Sequence, residues 1–498
     1  MPFRFSPVIC TVCIGLLAAV AVPAHAQEPV ATPDSSAADS VAVVVRKPTV
    51  PITPFFIEGI EDTFLTATLE VPENRDLPDG RKIALHIVVV PAIERVKGAP
   101  PLFDIAGGPG MAATMGAAEY ATALRIHRQR RDVVLVDQRG TGQSGPLRCA
   151  ELEAPGGLGD IYDVAAVARC RDALAGGADL AHYTTLDAVR DLEDVRNALA
   201  YDQIDLSGIS YGTLVVQTYM REYPENVHAA VMLGAVPLGE KIPLHHARNA
   251  EEILQRVLDD CDGDPDCGRA FPSLRREWGE LLDALIDGPV LAQYTDSTGT
   301  RTVPVYRGPF CEKLRELLYS TSMQRRVPFL IHQAAVGNFQ PFLDIAFVGG
   351  SSPFAEGMYL CVTCPEGTGR IAPDEIDAAT ARTFLGRYRV DRQIAACEAW
   401  GLAPRPETDF TPVTSTVPTL FINGSMDGVT PVAWAQEISA RLTNSLVLVV
   451  DYLGHAPEGL TNMECYDRVI DEFFRAGSVA GLDTACLESM APPEYTTE

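Results

Sequence analysis

The sequence predicts an α/β fold, a mostly parallel central sheet with helices on both faces and a large, mainly helical cap inserted after the sixth strand. Three observations lead there. Short β-rich apolar runs alternate with helix-period segments from about residue 55 to 240, the pattern of parallel strands joined by crossover helices. The alternation lapses between about 240 and 410, and two further buried-strand runs follow the gap. Finally, Ile204 to Val216, IDLSGISYGTLVV, reads as a strand that breaks at Gly-x-Ser-x-Gly and resumes as a helix, a strained corner suited to exposing a serine hydroxyl.

The elements follow in chain order. Residues 8–22, VICTVCIGLLAAVAV, come after Arg4 and lead to Ala24-His25-Ala26, the small-x-small form of a signal-peptidase site, so 1–26 read as a signal peptide of an exported protein. The run is shorter than the ~20 residues a bilayer span needs, and no membrane span is expected in the mature chain. Residues 27–50, rich in Ala, Pro, Ser and Val without helical period, read as a flexible leader. The first core segment, 51–240, opens with a hairpin of Thr66–Val71 and Ile83–Val90 over Pro78-Asp79-Gly80. Pro101–Ile105, Asp132–Asp137 and Ile204–Ser207 are buried-strand runs. Before the last of these, Asp187–Ala200 places Val189, Leu192, Val195 and Leu199 on one helical face behind a Thr184–Asp187 capping box. Tyr211–Tyr223 is a helix stopped by Pro224, and Ala229–Val236 is the sixth strand. Residues 241–410 form the cap, with helices such as Ser273–Ile286, short β-like runs and six cysteines. Residues 411–498 return to the core, with strands at Pro418–Asn423 and Leu446–Asp451.

Sixty-six acidic against 40 basic residues leave a net charge of -26. Such a surface repels phosphate backbones and excludes nucleic acid as a natural partner. Of twelve cysteines, Cys10 and Cys13 leave with the signal peptide, and the remaining ten are bound for an oxidising compartment, a periplasm or the medium. Proximity pairs Cys149 with Cys170, Cys261 with Cys267 and Cys465 with Cys486, leaving Cys311, Cys361, Cys364 and Cys397 to pair among themselves. Cys361-Val-Thr-Cys364 lacks the second CxxC or flanking His of a zinc site. His245 and His246 point about 100° apart on a helix and read as a solvated surface pair. No metal or organic cofactor is expected.

A serine nucleophile needs a base to take its proton and a carboxylate to orient that base. In the α/β-hydrolase architecture these come in the order Ser, Asp or Glu, His, each on a loop beyond a strand's carboxyl end. PTLFINGSMDGVTP places Asp427 in a Gly-rich turn after a strand, and LVLVVDYLGHAPEG places His455 just beyond the next. Acyl transfer also needs donors for the oxyanion. One is the backbone N–H of Tyr211, and the loop Ala106-Gly107-Gly108-Pro109-Gly110 after Leu102–Ile105 supplies a second.

Six blocks, GGPG, VVLVDQRGTGQSG, LSGISYGT, YPENVHAAVMLGAVP, GSMDGVTP and GHAPEG, resemble the secreted tripeptidyl aminopeptidase branch of the proline iminopeptidase family of α/β-hydrolases. The resemblance covers roughly 55–240 and 410–490. Position by position, it implies Ser210 as nucleophile, Asp427 as orienting acid, His455 as base, and Gly108 with Tyr211 as oxyanion donors. It implies Asp137 and Arg139 as structural supports. The proline iminopeptidase branch usually has His before GGPG; Ala106 here departs from that and favours the tripeptidyl-type branch. In the family a cap carboxylate receives the substrate's α-ammonium, and MYLCVTCPEG nominates Glu366. The expectation is an exported serine hydrolase that releases N-terminal residues or short peptides, tripeptidyl- or prolyl-aminopeptidase-like, through an acyl-enzyme on Ser210. A carboxylesterase using the same residues on small esters is the alternative. A catalytically dead binding protein is disfavoured, because every catalytic position holds a competent residue.

Overall fold

The computed structural model describes residues 47–152, 158–347 and 354–498. The signal peptide expected at 1–26, and the leader expected at 27–50 up to its last four residues, lie outside the described residues.

The strands are β1 (Thr53–Phe55), β2 (Phe64–Pro72), β3 (Lys82–Val90), β4 (Leu102–Ile105), β5 (Val133–Val136), β6 (Ile204–Ile209), β7 (Val227–Leu233), β8 (Val290–Asp296), β9 (Gly299–Val305), β10 (Thr419–Gly424) and β11 (Ser445–Val450). Nine of them form one sheet in the order β1-β2-β3-β5-β4-β6-β7-β10-β11, and β8 and β9 form a separate hairpin. Pairing is antiparallel from β1 to β5 and parallel from β5 through β4 to β11. In the β2–β3 hairpin Thr66 lies opposite Val88 and Val71 opposite Ile83. β1 is a three-residue edge strand that contains Pro54. It is too short to show a period of two, so the cap follows the seventh strand in chain order, not the sixth.

Strands buried on both faces explain why the central runs read as continuously apolar. Alternate residues feed two cores. Phe103, Val134, Leu206 and Phe421 pack on one side, where α1 (Thr185–Ala198) and α2 (Tyr211–Glu222) cover the sheet. Leu102, Val133, Leu135, Leu420 and Ile422 face the other side, covered by Val469, Ile470 and Phe473 of the helix Met463–Ala476. At the start of α1, the Thr184 hydroxyl oxygen accepts from the Asp187 N–H at 3.1 Å, the cap expected from sequence.

Between β7 and β10 the chain builds a third core of its own around Trp278, Leu281, Phe310, Leu314 and Leu330. Disulfides Cys149–Cys170, Cys261–Cys267 and Cys465–Cys486 form as expected. Of the other four cysteines only Cys364 and Cys397 pair. Cys311 and Cys361 are buried free thiols, each packed within a different apolar core, so they do not meet.

Candidate active site

β6 ends at Ile209 and α2 begins at Tyr211, leaving Ser210 on the corner with φ 55° and ψ -122°. A positive φ at a non-glycine residue costs on the order of 1–3 kcal/mol and persists only where its surroundings fix it. Here the Ser210 N–H donates to Leu233 O and the Thr213 N–H donates to Ser210 O, both at 2.9 Å. The flanking glycines are required by close approach. A Cβ on Gly208 would lie 2.6 Å from Gly212 O, and one on Gly212 2.5 Å from Ile105 O.

The glycine loop after β4 passes directly over this corner. A Cβ on Gly107 would sit 3.3 Å from Ser210 Cβ, and Gly108 has φ +113°, a conformation open to glycine. Tyr211 is the first residue of α2, so its N–H has no acceptor within the helix. The two expected donors, Gly108 and Tyr211, line the same cavity as the serine.

Asp427 and His455 come together beyond β10 and β11. His455 Nδ1 lies 2.9 Å from Asp427 Oδ2. The Asp427 carboxylate also accepts from the N–H groups of Val429 and Thr430 at 2.8 Å each and from the Thr430 hydroxyl at 2.6 Å. Burial by itself raises the Asp427 carboxyl, but the charge and hydrogen bond of His455, with Thr430, outweigh it and hold the group below its usual range. Thr430 is a site residue the sequence reading missed. Its Oγ1 is also 3.1 Å from His455 Nδ1, and the only signal was its place three residues after Asp427 in a Gly-containing turn.

Ser210, Tyr211, Gly107, Gly108, Thr430 and His455 line one cavity of about 860 Å³. Its far wall comes from the cap, including Arg315, Tyr319, Glu356, Tyr359 and Arg389. His246 is part of this wall too, which corrects the surface-pair expectation. The side chain is buried, and burial, followed by the charges of Arg315 and Arg389, keeps it well below the ordinary histidine range. His245 instead pairs through Nδ1 with Glu240 at 2.8 Å.

Glu366 does not line the serine's cavity. It sits at the C-terminal end of the helix Glu356–Glu366 and borders a small cavity that adjoins the serine's, Tyr211 and Ile242 lining both. Its oxygens accept from Thr185 N–H at 2.7 Å and Thr185 Oγ1 at 2.6 Å, which ties the cap to the start of α1. Burial, only partly offset by these bonds, pushes its carboxyl up to about 7. The other end of that helix, about 15 Å away at 1.5 Å per residue, carries Glu356 into the serine's cavity.

Asp137 and Arg139 brace the surroundings. Asp137 accepts from the Thr114 and Gln143 N–H groups at 3.0 and 2.8 Å. Arg139 donates to both oxygens of Asp191 at 2.7 Å and to the carbonyl of Glu73. Among the described residues, no group of three or more His, Cys, Asp or Glu side chains is placed to hold a metal ion.

Two family models match the chain, one described as alpha/beta hydrolase fold over residues 105–266 and one as TAP-like protein over 382–486. Together they span just over half of the sequence. The chain is 26% identical to "Serine protease Hip1" of Mycobacterium tuberculosis over 457 residues, covering 84% of this chain and 85% of that protein. It is 22% identical to "Tripeptidyl aminopeptidase" of Streptomyces coelicolor over 424 residues, covering 78% and 76%. The crystal structure of proline iminopeptidase from Mycobacterium smegmatis matches at 16% identity and a TM-score of 0.41, over 83% of this chain and 99% of that one. The sheet order, the strand-serine-helix corner and the two family models make the protein a serine hydrolase of the α/β-hydrolase family, with sequence relatives that include a serine protease and a tripeptidyl aminopeptidase.

Proposed function

We propose that the protein is an exported aminopeptidase that removes N-terminal residues or short peptides through an acyl-enzyme on Ser210. The observation that carries the reading is the meeting of Ser210, the Asp427–His455 pair and the glycine loop on one cap-walled cavity. His455 takes the Ser210 proton as Oγ attacks the scissile carbonyl, while Asp427 holds the imidazole in place and stabilises its charge. The carbonyl oxygen becomes an oxyanion facing the N–H groups of Tyr211 and Gly108. His455 then gives its proton to the leaving amine, and water repeats the cycle on the acyl-enzyme.

The peptidase half of the reading draws on the relatives named tripeptidyl aminopeptidase and serine protease. A free α-ammonium calls for a carboxylate in the serine's cavity. Glu356 fills that role in place of Glu366, since it lines the serine's cavity. Four disulfides support export to an oxidising compartment. The test compares peptide amides with free and acetylated N-termini against p-nitrophenyl esters. Cleavage that depends on the free amine supports the aminopeptidase. Equal cleavage of the blocked peptides, or turnover of esters alone, rejects it, the latter in favour of the esterase.

A further inference from the structure

A short stretch of the cap, Tyr319 to Gln324, reaches both loops that carry the base and its acid. Thr321 Oγ1 donates to Tyr452 O at 3.1 Å and accepts from the Gly454 N–H at 2.9 Å. Tyr319 O accepts from the Ala456 N–H at 2.9 Å. These bonds bracket His455 on both sides, and the Tyr319 ring stands edge-on to the His455 ring, 5.2 Å between centroids and 87° between planes. Beyond Ala456, the hydroxyls of Ser320 and Ser322 donate to the two oxygens of Glu458. From the same stretch the Gln324 side-chain amide donates to Met426 O at 2.9 Å, immediately before Asp427, and to Leu318 O at 2.7 Å. The fit leaves no slack, because a Cβ on Gly454 would lie 2.6 Å from Tyr319 O.

We propose that this stretch is a clamp that sets the working positions of His455 and Asp427, with Thr321 and Gln324 as positioning residues. The proposal rests on the catalytic reading above. Thr321 and Gln324 are 1% and 3% exposed, so water cannot replace the bonds they make. Removing the Thr321 hydroxyl leaves the buried Gly454 N–H unpaired and releases the Tyr452 carbonyl, and the loop must move to find other partners. A displacement of about 1 Å at a reacting group is enough for a 10²-fold loss of rate. The cap is therefore part of the catalytic scaffold on the histidine side.

The test uses the full chain with Thr321→Val, Thr321→Ser and Gln324→Met. Active sites are counted by fluorophosphonate titration, and turnover of a p-nitrophenyl ester is expressed per titrated site. The clamp predicts that Thr321→Val lowers kcat at least tenfold with KM within twofold, that Thr321→Ser restores kcat to within threefold, and that Gln324→Met lowers kcat at least fivefold. A purely structural role changes thermal stability or the count of active sites but leaves kcat per site at the wild-type value, and that result overturns the clamp. Should Thr321→Val fail to fold, the Gln324→Met result decides alone by the same criterion. Ester turnover that survives Ser210→Ala overturns the underlying catalytic reading instead, and the two failures are thereby told apart.

Discussion

Replacing Glu366 with Gln separates the two roles this carboxylate can have. In the fold its proton is held to about pH 7 by burial, against an ordinary value of 4.5. A carboxyl that titrates so much higher in the folded than in the unfolded chain binds its proton more tightly in the fold by about 3 kcal/mol. The sign follows from which state loses the proton first. Below about 4.5 both states are protonated and the group adds no pH dependence. As pH rises from there through 7, the unfolded chain ionises while the fold resists, so stability falls. About 2.5 kcal/mol of the loss lies between pH 5 and pH 8. Gln mimics the protonated acid, with its oxygen accepting from Thr185 N–H and its amide facing Thr185 Oγ1. Urea unfolding of wild type and Glu366→Gln at pH 5 and pH 8 is expected to show the variant gaining about 2.5 kcal/mol relative to wild type over that interval, while kcat/KM on free-amine peptides stays within threefold. A variant that loses relative stability at pH 8 refutes the buried-acid argument. A tenfold or greater rise in KM confined to free-amine substrates returns Glu366 to the role of ammonium anchor.

Three further substitutions bear on the site. Asp427→Asn removes the charge that faces His455 and puts an amide donor among four donors; kcat for ester or peptide turnover is expected to fall about 10³- to 10⁴-fold, and a loss under tenfold contradicts the role of the acid. Thr430→Val takes away the hydroxyl shared by Asp427 and His455; a roughly tenfold lower kcat, about 1.4 kcal/mol of barrier, with unchanged KM is expected from steady-state kinetics, and a wild-type kcat rejects it. Glu356→Gln is expected to raise KM at least tenfold for peptides with a free N-terminus and to leave p-nitrophenyl ester turnover within twofold, so an equal effect on both substrates removes Glu356 as the ammonium partner.

The sheet was legible because its central strands are buried on both faces and appear as apolar runs, as Val133–Val136 and Leu420–Ile422 within Thr419–Gly424 do. The Ser210 corner and the Asp427 and His455 loops were legible because each follows such a run within a few residues. What remained hidden depends on geometry between distant segments. Thr321 and the His455 loop are about 130 residues apart in the chain, and no local pattern announces their bonding. The block motif that nominates Glu366 fixes a residue on a helix without saying which end of that helix opens on the serine, and it is Glu356, at the other end, that lines the serine's cavity. His246 was read as one of a solvated pair because adjacent helix positions point about 100° apart and do not share an ion, yet that same angle turns His246 onto the serine's cavity while His245 faces Glu240. Cys311, Cys361, Cys364 and Cys397 were left to pair among themselves on parity alone, although only Cys364 and Cys397 meet and the two free thiols lie in different cores.

The most direct test of the account is to identify the residue that becomes acylated. Wild-type protein, Asp427→Asn and Ser210→Ala are treated with a serine-directed fluorophosphonate and digested, and the adduct is mapped by mass spectrometry. The account predicts a single adduct on the peptide containing Ser210, formed much more slowly in Asp427→Asn and absent in Ser210→Ala. An adduct on another residue, or labelling that persists at the wild-type rate in Ser210→Ala, contradicts it.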